Sequence, residues 1–198
     1  MRVAVIDAGG ANLGSVRYAL ERLGAVPQIV RDADELKDAQ RIILPGVGAA
    51  APAMAALRAC GFDKALRASQ VPVLGICLGM QLLYDASDEG DIACLGLVPG
   101  RVRRLSPAPD VRIPHMGWNT LSEVAATPLL DGIADGDSVY FVHGYAAPVN
   151  AYTLATARHG QNFCAIVRNG LYCGAQFHPE RSAGVGARLL ENFIRWDS

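Results

Sequence analysis

The sequence lacks an excess of charge of either sign, and this limits the partners that it can attract. Its 198 residues carry 18 lysines and arginines against 19 aspartates and glutamates, which gives a formal net charge of −1. A surface with that balance has no overall field for a phosphate backbone or an anionic bilayer. We therefore expect neither a nucleic acid nor a membrane surface as a partner.

A long apolar segment is also missing from the start of the sequence. Four apolar residues, 3–6, stand between Arg2 and Asp7, which is too few for a signal-peptide core or a membrane span. We therefore expect a cytoplasmic protein. With 198 residues, 51% of them hydrophobic, the chain can bury one sizeable core, so we expect one domain over residues 1–198.

Cysteine patterns typical of metal sites and disulfide frameworks are absent as well. The cysteines are odd in number, without a C-x-x-C pair or a zinc-like spacing, and stand at positions 60, 77, 94, 164 and 173. An Asn169-Gly170 turn would place Arg168 opposite Leu171 and Cys164 diagonal to Cys173, at about 7–8 Å. That distance is too long for a bridge. We expect no disulfide framework, no metal site and no cofactor.

Nucleotide-binding signatures are missing too. Gly9 and Gly10 follow the first predicted strand, but no third glycine completes a G-x-G-x-x-G register, and the sequence has no P-loop. A tight strand-to-helix turn explains the pair better, with Asn12 as the N-cap of the first helix and Gly24 as its end.

The first half of the sequence alternates strands with helices. Short apolar runs predict strands over 3–6, 28–30, 41–44 and 71–77, and helical patterns cover 13–23, 49–57 and 62–68. This alternation implies an α/β fold: a mainly parallel, flavodoxin-like central sheet with helices on both faces. The second half predicts additional antiparallel strands over 96–105, 138–143, 152–157, 163–167 and 171–177, and a closing helix from Val185.

Cys77 stands where a buried strand is predicted to break into a helix. Gly75 and Gly79 flank it at two residues' distance, which copies the G-x-S-x-G nucleophile elbow. Small neighbours there permit a strained turn that presents the nucleophile, and a helix N-terminus stabilises a thiolate. The alternative is a small buried hydrophobic residue, which is the usual fate of a lone cysteine.

A cysteine nucleophile needs a base, and His178 is the best candidate among the four histidines. It ends a strong late strand and precedes Pro179 and Glu180. A residue before proline is extended, so His178 and Glu180 can project to the same side. A carboxylate there can fix the imidazole tautomer and stabilise the imidazolium. An ordinary strand end with a surface carboxylate is the alternative.

An oxyanion hole is the third requirement of acyl-transfer chemistry. One donor in an elbow is the N–H of the residue after the nucleophile, here Leu78. The loop Pro45-Gly-Val-Gly48 follows a neighbouring strand, and its glycines permit close approach to a ligand, so it can supply a second donor. By itself this loop would be a routine glycine turn.

The motifs together resemble one family. Gly75-Ile-Cys-Leu-Gly79 and Gln176-Phe-His-Pro-Glu180 are similar to the nucleophile and His-x-Glu motifs of the triad (class I) glutamine amidotransferases. Within that family the pattern is most similar to the glutaminase subunits of imidazole glycerol phosphate synthases. That similarity covers essentially the whole chain and rests on five blocks in the same order: Asp7…Asn12-Leu13…Ser15-Val16, Leu44-Pro-Gly-Val-Gly48, Gly75-Ile-Cys-Leu-Gly-Met-Gln81, Pro114-His-Met-Gly-Trp-Asn119 and Tyr140-Phe-Val-His143.

The resemblance implies a role for each matching residue. Catalysis would fall to Cys77 as nucleophile, His178 as base and acid, and Glu180 as the group that orients His178. Oxyanion or loop roles would fall to Gly46, Val47, Gly48 and Leu78, and the glutamine pocket would be lined by Gln81, Gly144 and Tyr145. Two departures stand out: the usual Asp-Tyr-Gly-x-Gly-Asn loop is Asp-Ala-Gly-Gly-Ala-Asn, and Val-His-Ser-Tyr is Val142-His-Gly-Tyr145, which removes a hydroxyl.

The implied function is hydrolysis of glutamine to glutamate through a γ-glutamyl thioester. Because the chain has no spare length for a synthase domain, the ammonia would serve a partner. By resemblance that partner is a cyclase subunit, a (β/α)₈ barrel, in a heterodimer that makes imidazole glycerol phosphate for histidine synthesis. One alternative is a glutaminase subunit of another synthase, such as that for pyridoxal phosphate; the His115–Asn119 block argues against it.

A second alternative is a non-catalytic docking subunit, which the intact set of Cys77, His178 and Glu180 disfavours. A basic cluster is open to two interpretations, a solvated face or a docking surface; it consists of Arg101, Arg103, Arg104 and Arg112.

Overall fold

A central sheet of seven strands organises the part of the chain that the structure describes, residues 1–9 and 13–196 of a computed structural model. Two smaller sheets accompany it, one of four strands and one of two. In chain order the strands are β1 (Arg2–Ile6), β2 (Val26–Val30), β3 (Arg41–Gly46), β4 (Val73–Cys77), β5 (Tyr84–Ser87), β6 (Ile92–Ala93), β7 (Val98–Arg104), β8 (His115–Thr120), β9 (Ser138–His143), β10 (Tyr145–Ala146), β11 (Thr153–His159), β12 (Gln161–Asn169) and β13 (Tyr172–Ala175).

The strand order of the large sheet confirms the predicted fold class. Its strands lie in the order β2-β1-β3-β4-β13-β12-β11. The pairs from β2 to β13 are all parallel, and the two pairs on the β11 side are antiparallel. Counting only the parallel strands, this is the 2-1-3-4-5 order of flavodoxin-like sheets, in which ligands bind beyond the carboxyl ends of the strands.

Helices cover both faces of this sheet because its strands are apolar on both sides. The helices are α1 (Leu13–Arg22), α2 (Ala50–Ala59), α3 (Phe62–Arg67), α4 (Leu78–Leu82) and α5 (Ala183–Arg195). Val3 and Val5 of β1 join the core that packs under α1 and α5, whereas Ala4 and Ile6 join the core under α2, α3 and α4. Strand alternation therefore divides one buried strand between two cores.

The closing helix α5 carries the apolar stripe that the sequence predicts. Leu189, Leu190, Phe193 and Ile194 are all buried. Burial of a Leu or Phe side chain stabilises a fold by about 1.5–3 kcal/mol relative to leaving it exposed. The stripe therefore fixes α5, whose first turn follows the segment that contains His178 and Glu180.

The predicted hairpin between β12 and β13 has a different register. Asn169 pairs with Tyr172 and Arg168 with Cys173, so the turn residues are Gly170 and Leu171, not Asn169 and Gly170. Gly170 has φ +58° and Leu171 does not share a positive φ, which suits a type II′ turn and rules out the type I′ turn that Asn-Gly favours. The shift is two residues, so the same side chains still face each core.

Two further differences concern short elements. The sequence did not indicate β5 and β6, or that the block from His115 is a strand paired with β9. These strands are short, or carry polar residues on both faces, so the spacing of apolar residues gives little signal.

The predicted cap Asn12 lies outside the described residues, while Gly24, at φ +75°, ends α1 as expected. Among the described residues, no helix has the length and apolarity needed to span a bilayer.

Candidate active site

Cys77 lies at a strained turn between β4 and α4. Its backbone has φ 53° and ψ −111°, a region that non-glycine residues rarely adopt and that costs about 1–3 kcal/mol. Such strain persists only where the surrounding structure imposes it. The geometry is that of a nucleophile elbow, as the G-x-C-x-G pattern predicts.

The glycines that flank Cys77 are required by close backbone approach. A Cβ on Gly79 would lie 1.8 Å from the carbonyl oxygen of Leu44 in β3. A Cβ on Gly75 would lie 2.6 Å from the backbone oxygen of Gly79 and 2.6 Å from the nitrogen of Met80. Any side chain at either position would push α4 away from the sheet, so the elbow can form only with glycine at both.

His178 and Glu180 form a buried pair after the end of β13. The Nδ1 atom of His178 and Oε1 of Glu180 are 2.8 Å apart, and their side chains are 9% and 1% exposed. Burial lowers the pKa of His178, but hydrogen bonds with Cys77 and Glu180 and the negative charges of both outweigh it and raise the pKa to about 10. The imidazolium form is therefore favoured at neutral pH.

Adjacent parallel strands bring the thiol and the imidazole together. Ile76 of β4 pairs with Ala175 of β13, so Cys77 and His178 leave the same edge of the sheet. Ser182 Oγ donates to the His178 carbonyl at 2.7 Å, and the His178 N–H donates to the carbonyl of Tyr140 at 2.9 Å. These bonds fix the backbone that carries the imidazole.

Helix α5 holds this segment by direct contact. A Cβ on Gly186 would lie 1.9 Å from the carbonyl oxygen of Pro179, so the first turns of α5 press against the turn between His178 and Glu180. This contact could not be predicted from the sequence, because it depends on how α5 packs and not on a local motif.

The predicted oxyanion loop lies beside the elbow. Gly46, at the end of β3, pairs in register with Cys77, and a Cβ on it would lie 2.7 Å from the N–H nitrogen of Gly79. Gly46 is thus packed against α4. Val47 and Gly48 line the cavity next to Cys77, and Gly48 has φ +90° with no atom near its missing Cβ. Packing against α4 therefore fixes the loop at Gly46, whereas Gly48 has free space around it.

A cavity of about 280 Å³ connects these parts. It opens beside Cys77 and His178 and includes the predicted residues Val47, Gly48, Leu78, Gln81, Gly144 and Tyr145. Gln81 is buried, and its Nε2 donates to the Tyr145 carbonyl at 2.8 Å. Of the predicted site residues, only Gly46 and Glu180 are not in the cavity wall, and both contact residues that are.

Three residues of the cavity wall were not predicted from the sequence: Glu89, Val142 and His143. Glu89 accepts a hydrogen bond from the Ala50 N–H at 2.8 Å, next to the oxyanion loop. In the sequence it sits in an Asp-Glu-Gly stretch that indicates only a turn. His143 belongs to a block that was noted, but its location at the cavity follows from the β8–β9 pairing.

The departure at Gly144 leaves open space. A Cβ there would meet only Ile113 Cγ2, at 3.8 Å, which is an ordinary contact. A serine would therefore fit, and glycine removes a hydroxyl from the cavity without changing its backbone.

Elsewhere, Arg101 of the basic cluster is paired with Asp88 and Asp91. The described residues contain no group of three or more His, Cys, Asp or Glu side chains that could hold a metal ion.

The fold and the site agree with comparisons to known proteins. The family model described as glutamine amidotransferase class-I matches residues 4–196. A crystal structure of a glutamine amidotransferase is similar with a TM-score of 0.76 at 23% identity, over 97% of this chain and 96% of that one. The chain belongs to the class-I glutamine amidotransferase family.

Two relatives with high sequence identity carry the same name within this family. Imidazole glycerol phosphate synthase subunit HisH of Xanthomonas axonopodis pv. citri (strain 306) is 64% identical over 192 residues, 97% of this chain and 96% of that protein. Subunit HisH of Xylella fastidiosa (strain Temecula1) is 59% identical over 99% of this chain and 98% of its own length.

Proposed function

We propose that the chain is the glutaminase subunit of an imidazole glycerol phosphate synthase. It would hydrolyse glutamine to glutamate and pass the ammonia to a cyclase subunit in histidine biosynthesis, in the cytoplasm. The observation that carries this proposal is Cys77 at a strained elbow, in the wall of a cavity that His178 also lines, with Nδ1 of His178 held by Glu180 at 2.8 Å.

The proposed first step is attack by the Cys77 thiolate on the side-chain amide carbon of glutamine. Because α4 has only five residues, we assign the main electrostatic support of the thiolate to the His178 imidazolium and not to the helix dipole. The negative oxygen of the tetrahedral intermediate would be bound by the Leu78 N–H and an N–H of the Val47–Gly48 segment. His178 then gives its proton to the leaving nitrogen, which departs as ammonia and leaves a γ-glutamyl thioester.

The second step is hydrolysis of the thioester. His178, now neutral, takes a proton from a water molecule that attacks the thioester carbon, and the thiolate leaves as glutamate is released. Glu180 keeps the proton on Nδ1 of His178, so that the other ring nitrogen faces Cys77 in both steps. The chemistry needs only these side chains, the backbone donors and water.

Glu89 fits a role in recognising the substrate. One oxygen of its carboxylate is bonded to the Ala50 N–H, and the residue also lines the cavity. A carboxylate there can attract the α-ammonium group of glutamine, and Gln81 adds an amide oxygen on the same wall. Glutamine would thus be held by its amino-acid end, with its side-chain amide at Cys77.

We propose that the cyclase partner is a (β/α)₈ barrel that forms a heterodimer with this chain. This chain offers it an exposed apolar surface near the site. Met116 and Trp118 of β8 are exposed, which is unusual for such large apolar side chains. Trp118 packs edge-on against Tyr140, whose carbonyl accepts the bond from the His178 N–H. A partner that covers this surface would lie close to the released ammonia.

A Cys77→Ala chain in complex with the cyclase tests the proposal. We expect glutamine-dependent synthesis to fall by more than about 10³-fold, because the covalent step is lost, while synthesis from added ammonia stays at the parent rate. The matched control is Cys94→Ala. Burial raises the pKa of Cys94 to about 11, which makes it an unreactive thiol, so this variant should retain both activities. Retention of glutamine-dependent synthesis by Cys77→Ala would refute the proposal.

A further inference from the structure

A line of hydrogen-bonded polar groups, with two buried histidines at its centre, leads from β8 to the wall of the proposed glutamine cavity. Nδ1 of His115 lies 3.1 Å from Nε2 of His143, and Nδ1 of His143 lies 2.9 Å from the carbonyl oxygen of Tyr145. At the other end, Nδ2 of Asn119 lies 3.3 Å from Nε2 of His115. Neither histidine is used in the reaction described above, although both are buried.

The direction of every bond in this line is fixed by its ends. A carbonyl oxygen only accepts, so His143 must carry its proton on Nδ1, and its Nε2 must then accept. His115 therefore donates from Nδ1 and accepts at Nε2. Asn119 supplies that last proton, and its Nδ2 also donates to the carbonyl of Arg158 at 2.8 Å, which fixes the orientation of the amide.

The carbonyl of Tyr145 is held from a second side. Nε2 of Gln81 donates to it at 2.8 Å and also donates to Oε1 of Gln176 at 3.0 Å. The remaining Nε2 of Gln176 lies 3.9 Å from Sγ of Cys77. Two independent donors, His143 and Gln81, thus converge on one carbonyl in the wall of the cavity.

We propose that His115 and His143 are positioning residues that orient the Gly144–Tyr145 backbone for glutamine binding, through a one-way relay of hydrogen bonds from Asn119 to the Tyr145 carbonyl. The inference rests on the proposed function of this cavity. In this proposal His115, in the Pro114-His-Met-Gly-Trp-Asn119 block, supports the cavity wall. Its role differs from that of the exposed residues of the same strand, which face the proposed partner.

The electrostatic surroundings favour the neutral histidines that the relay requires. Burial and the nearby His159 lower the pKa of His115 to about 4. Burial lowers the pKa of His143 to about 3, against the bond to Tyr145, and His115, His159 and His178 lower it further. The other groups that face the pair are the rings of Phe141 and Phe163. Protonation of His143 would make its Nε2 a donor that faces the Nδ1–H donor of His115, and the relay would be broken.

The first test is the tautomer of each ring in the free, parent chain. Nitrogen-15 NMR that correlates ring nitrogens with ring protons distinguishes Nδ1–H from the Nε2–H tautomer that is usual in water. We expect the Nδ1–H tautomer for both His115 and His143 from pH 8 down to about pH 5. An Nε2–H tautomer at either histidine, or an imidazolium at pH 6, would overturn the relay. This measurement does not depend on the reaction.

The second test compares two amides at position 115 in the complex with the cyclase. An asparagine amide reaches the place of the imidazole Nδ1, whereas a glutamine amide reaches that of Nε2. We therefore expect His115→Asn to keep kcat/KM for glutamine within about threefold of the parent, and His115→Gln to lose about tenfold, mainly through a higher KM, which is the usual scale of one hydrogen bond. Synthesis from added ammonia should be equal in both.

The matched control is His159→Asn. Its ring stacks on that of His115 with centroids 4.0 Å apart, but it bonds to the Arg112 carbonyl and not to the relay. We expect its KM for glutamine to stay within about twofold of the parent. Equal effects of Asn and Gln at position 115 in folded chains would overturn the inference. A parent complex without glutaminase activity would instead refute the proposed function, and the tautomers would still decide the relay.

Discussion

The proton on His178 links the proposed catalytic role of this residue to the stability of the fold. The pKa of His178 is raised to about 10, against its ordinary value of 6.5, and Glu180 is one of the groups that raise it. A group with a raised pKa in the folded state stabilises the fold fully below its unfolded pKa. That contribution disappears as the pH rises through the folded pKa. The window for this pair is therefore about pH 6.5 to 10.

Glu180→Gln should reduce both activity and this stabilisation. The amide can still bond to Nδ1 of His178 but carries no charge to favour the imidazolium. We expect glutamine-dependent turnover to fall by about 10²- to 10⁴-fold, less than for Cys77→Ala. Denaturant unfolding should show the variant less stable than the parent at pH 6, with a difference that shrinks toward pH 10. A constant difference across that range would contradict the assignment of charge.

Individual site residues differ in how far the sequence could reveal them. Cys77, with its flanking glycines, and His178 with Glu180 each belong to a local pattern that carries its own geometric reason, and the structure places Cys77 and His178 in the wall of one cavity. Glu89 is different. It reaches the cavity from a loop after β5, near the first residue of α2, and nothing in its local sequence encodes that approach.

Among the elements, α5 packs directly against the turn that carries the proposed catalytic residues His178 and Glu180. Gly186 lets its backbone approach the Pro179 carbonyl, since a Cβ would lie 1.9 Å away, whereas the missing Cβ of Gly184 faces open space. Two glycines in the same helix therefore differ in what they allow. One is required by packing, and the other is replaceable.

Gly186→Ala should disturb the site from a distance. The new methyl group would force α5 away from the turn that carries His178 and Glu180, and overpacking of this kind costs about 1–3 kcal/mol or more. We expect a lower free energy of unfolding, measured by denaturant titration, and at least about tenfold slower glutamine hydrolysis.

Gly184→Ala is the matched control for that change. With no atom near the new methyl group and a helical backbone, it should leave activity intact and leave stability unchanged or raise it by up to about 1 kcal/mol. If the two variants behave alike, the contact between α5 and the turn does not position the catalytic residues.

The alternation of strands and helices along the sequence was enough to predict the large sheet. The local preference of Asn169-Gly170 for a turn led to the wrong register for the β12–β13 hairpin. Alternating apolar strands and helices leave few topologies, so the mainly parallel sheet could be inferred. The Asn169-Gly170 pair favours a type I′ turn locally. The neighbouring strand overrides that preference, because β13 is also fixed by its parallel pairing with β4.

At the scale of the whole molecule, the predicted oxyanion loop is the basis for a prediction of control by the proposed cyclase partner. Gly46 is packed against α4, but the Val47–Gly48 peptide can rotate, since Gly48 tolerates several backbone conformations and has open space around it. Loss of one oxyanion donor costs about 10²–10³ in rate. A partner can activate the chain only by favouring the conformation with the donor in place.

We therefore expect the free chain to be a poor glutaminase. Steady-state glutamate production should rise by about 10²-fold or more between the chain alone and the chain with the cyclase and its ribonucleotide substrate. Full activity of the chain alone would exclude the switch. Equal rates with and without the ribonucleotide would exclude sensing of the partner's substrate. Activation would then be due to docking of the cyclase alone.

The pairing of β4 with β13 also sets the order in which the reactive centre can appear. Val73 pairs with Tyr172, 99 residues further along the chain, and β13 lies between β4 and β12. On the ribosome, Cys77 emerges long before the strand that delivers its base. Pairing between such distant segments is slow, because the long loop must close before the contacts form. If His178 is the base that we propose, the thiol should stay unreactive in the nascent chain and become activated only when β13 has joined the sheet.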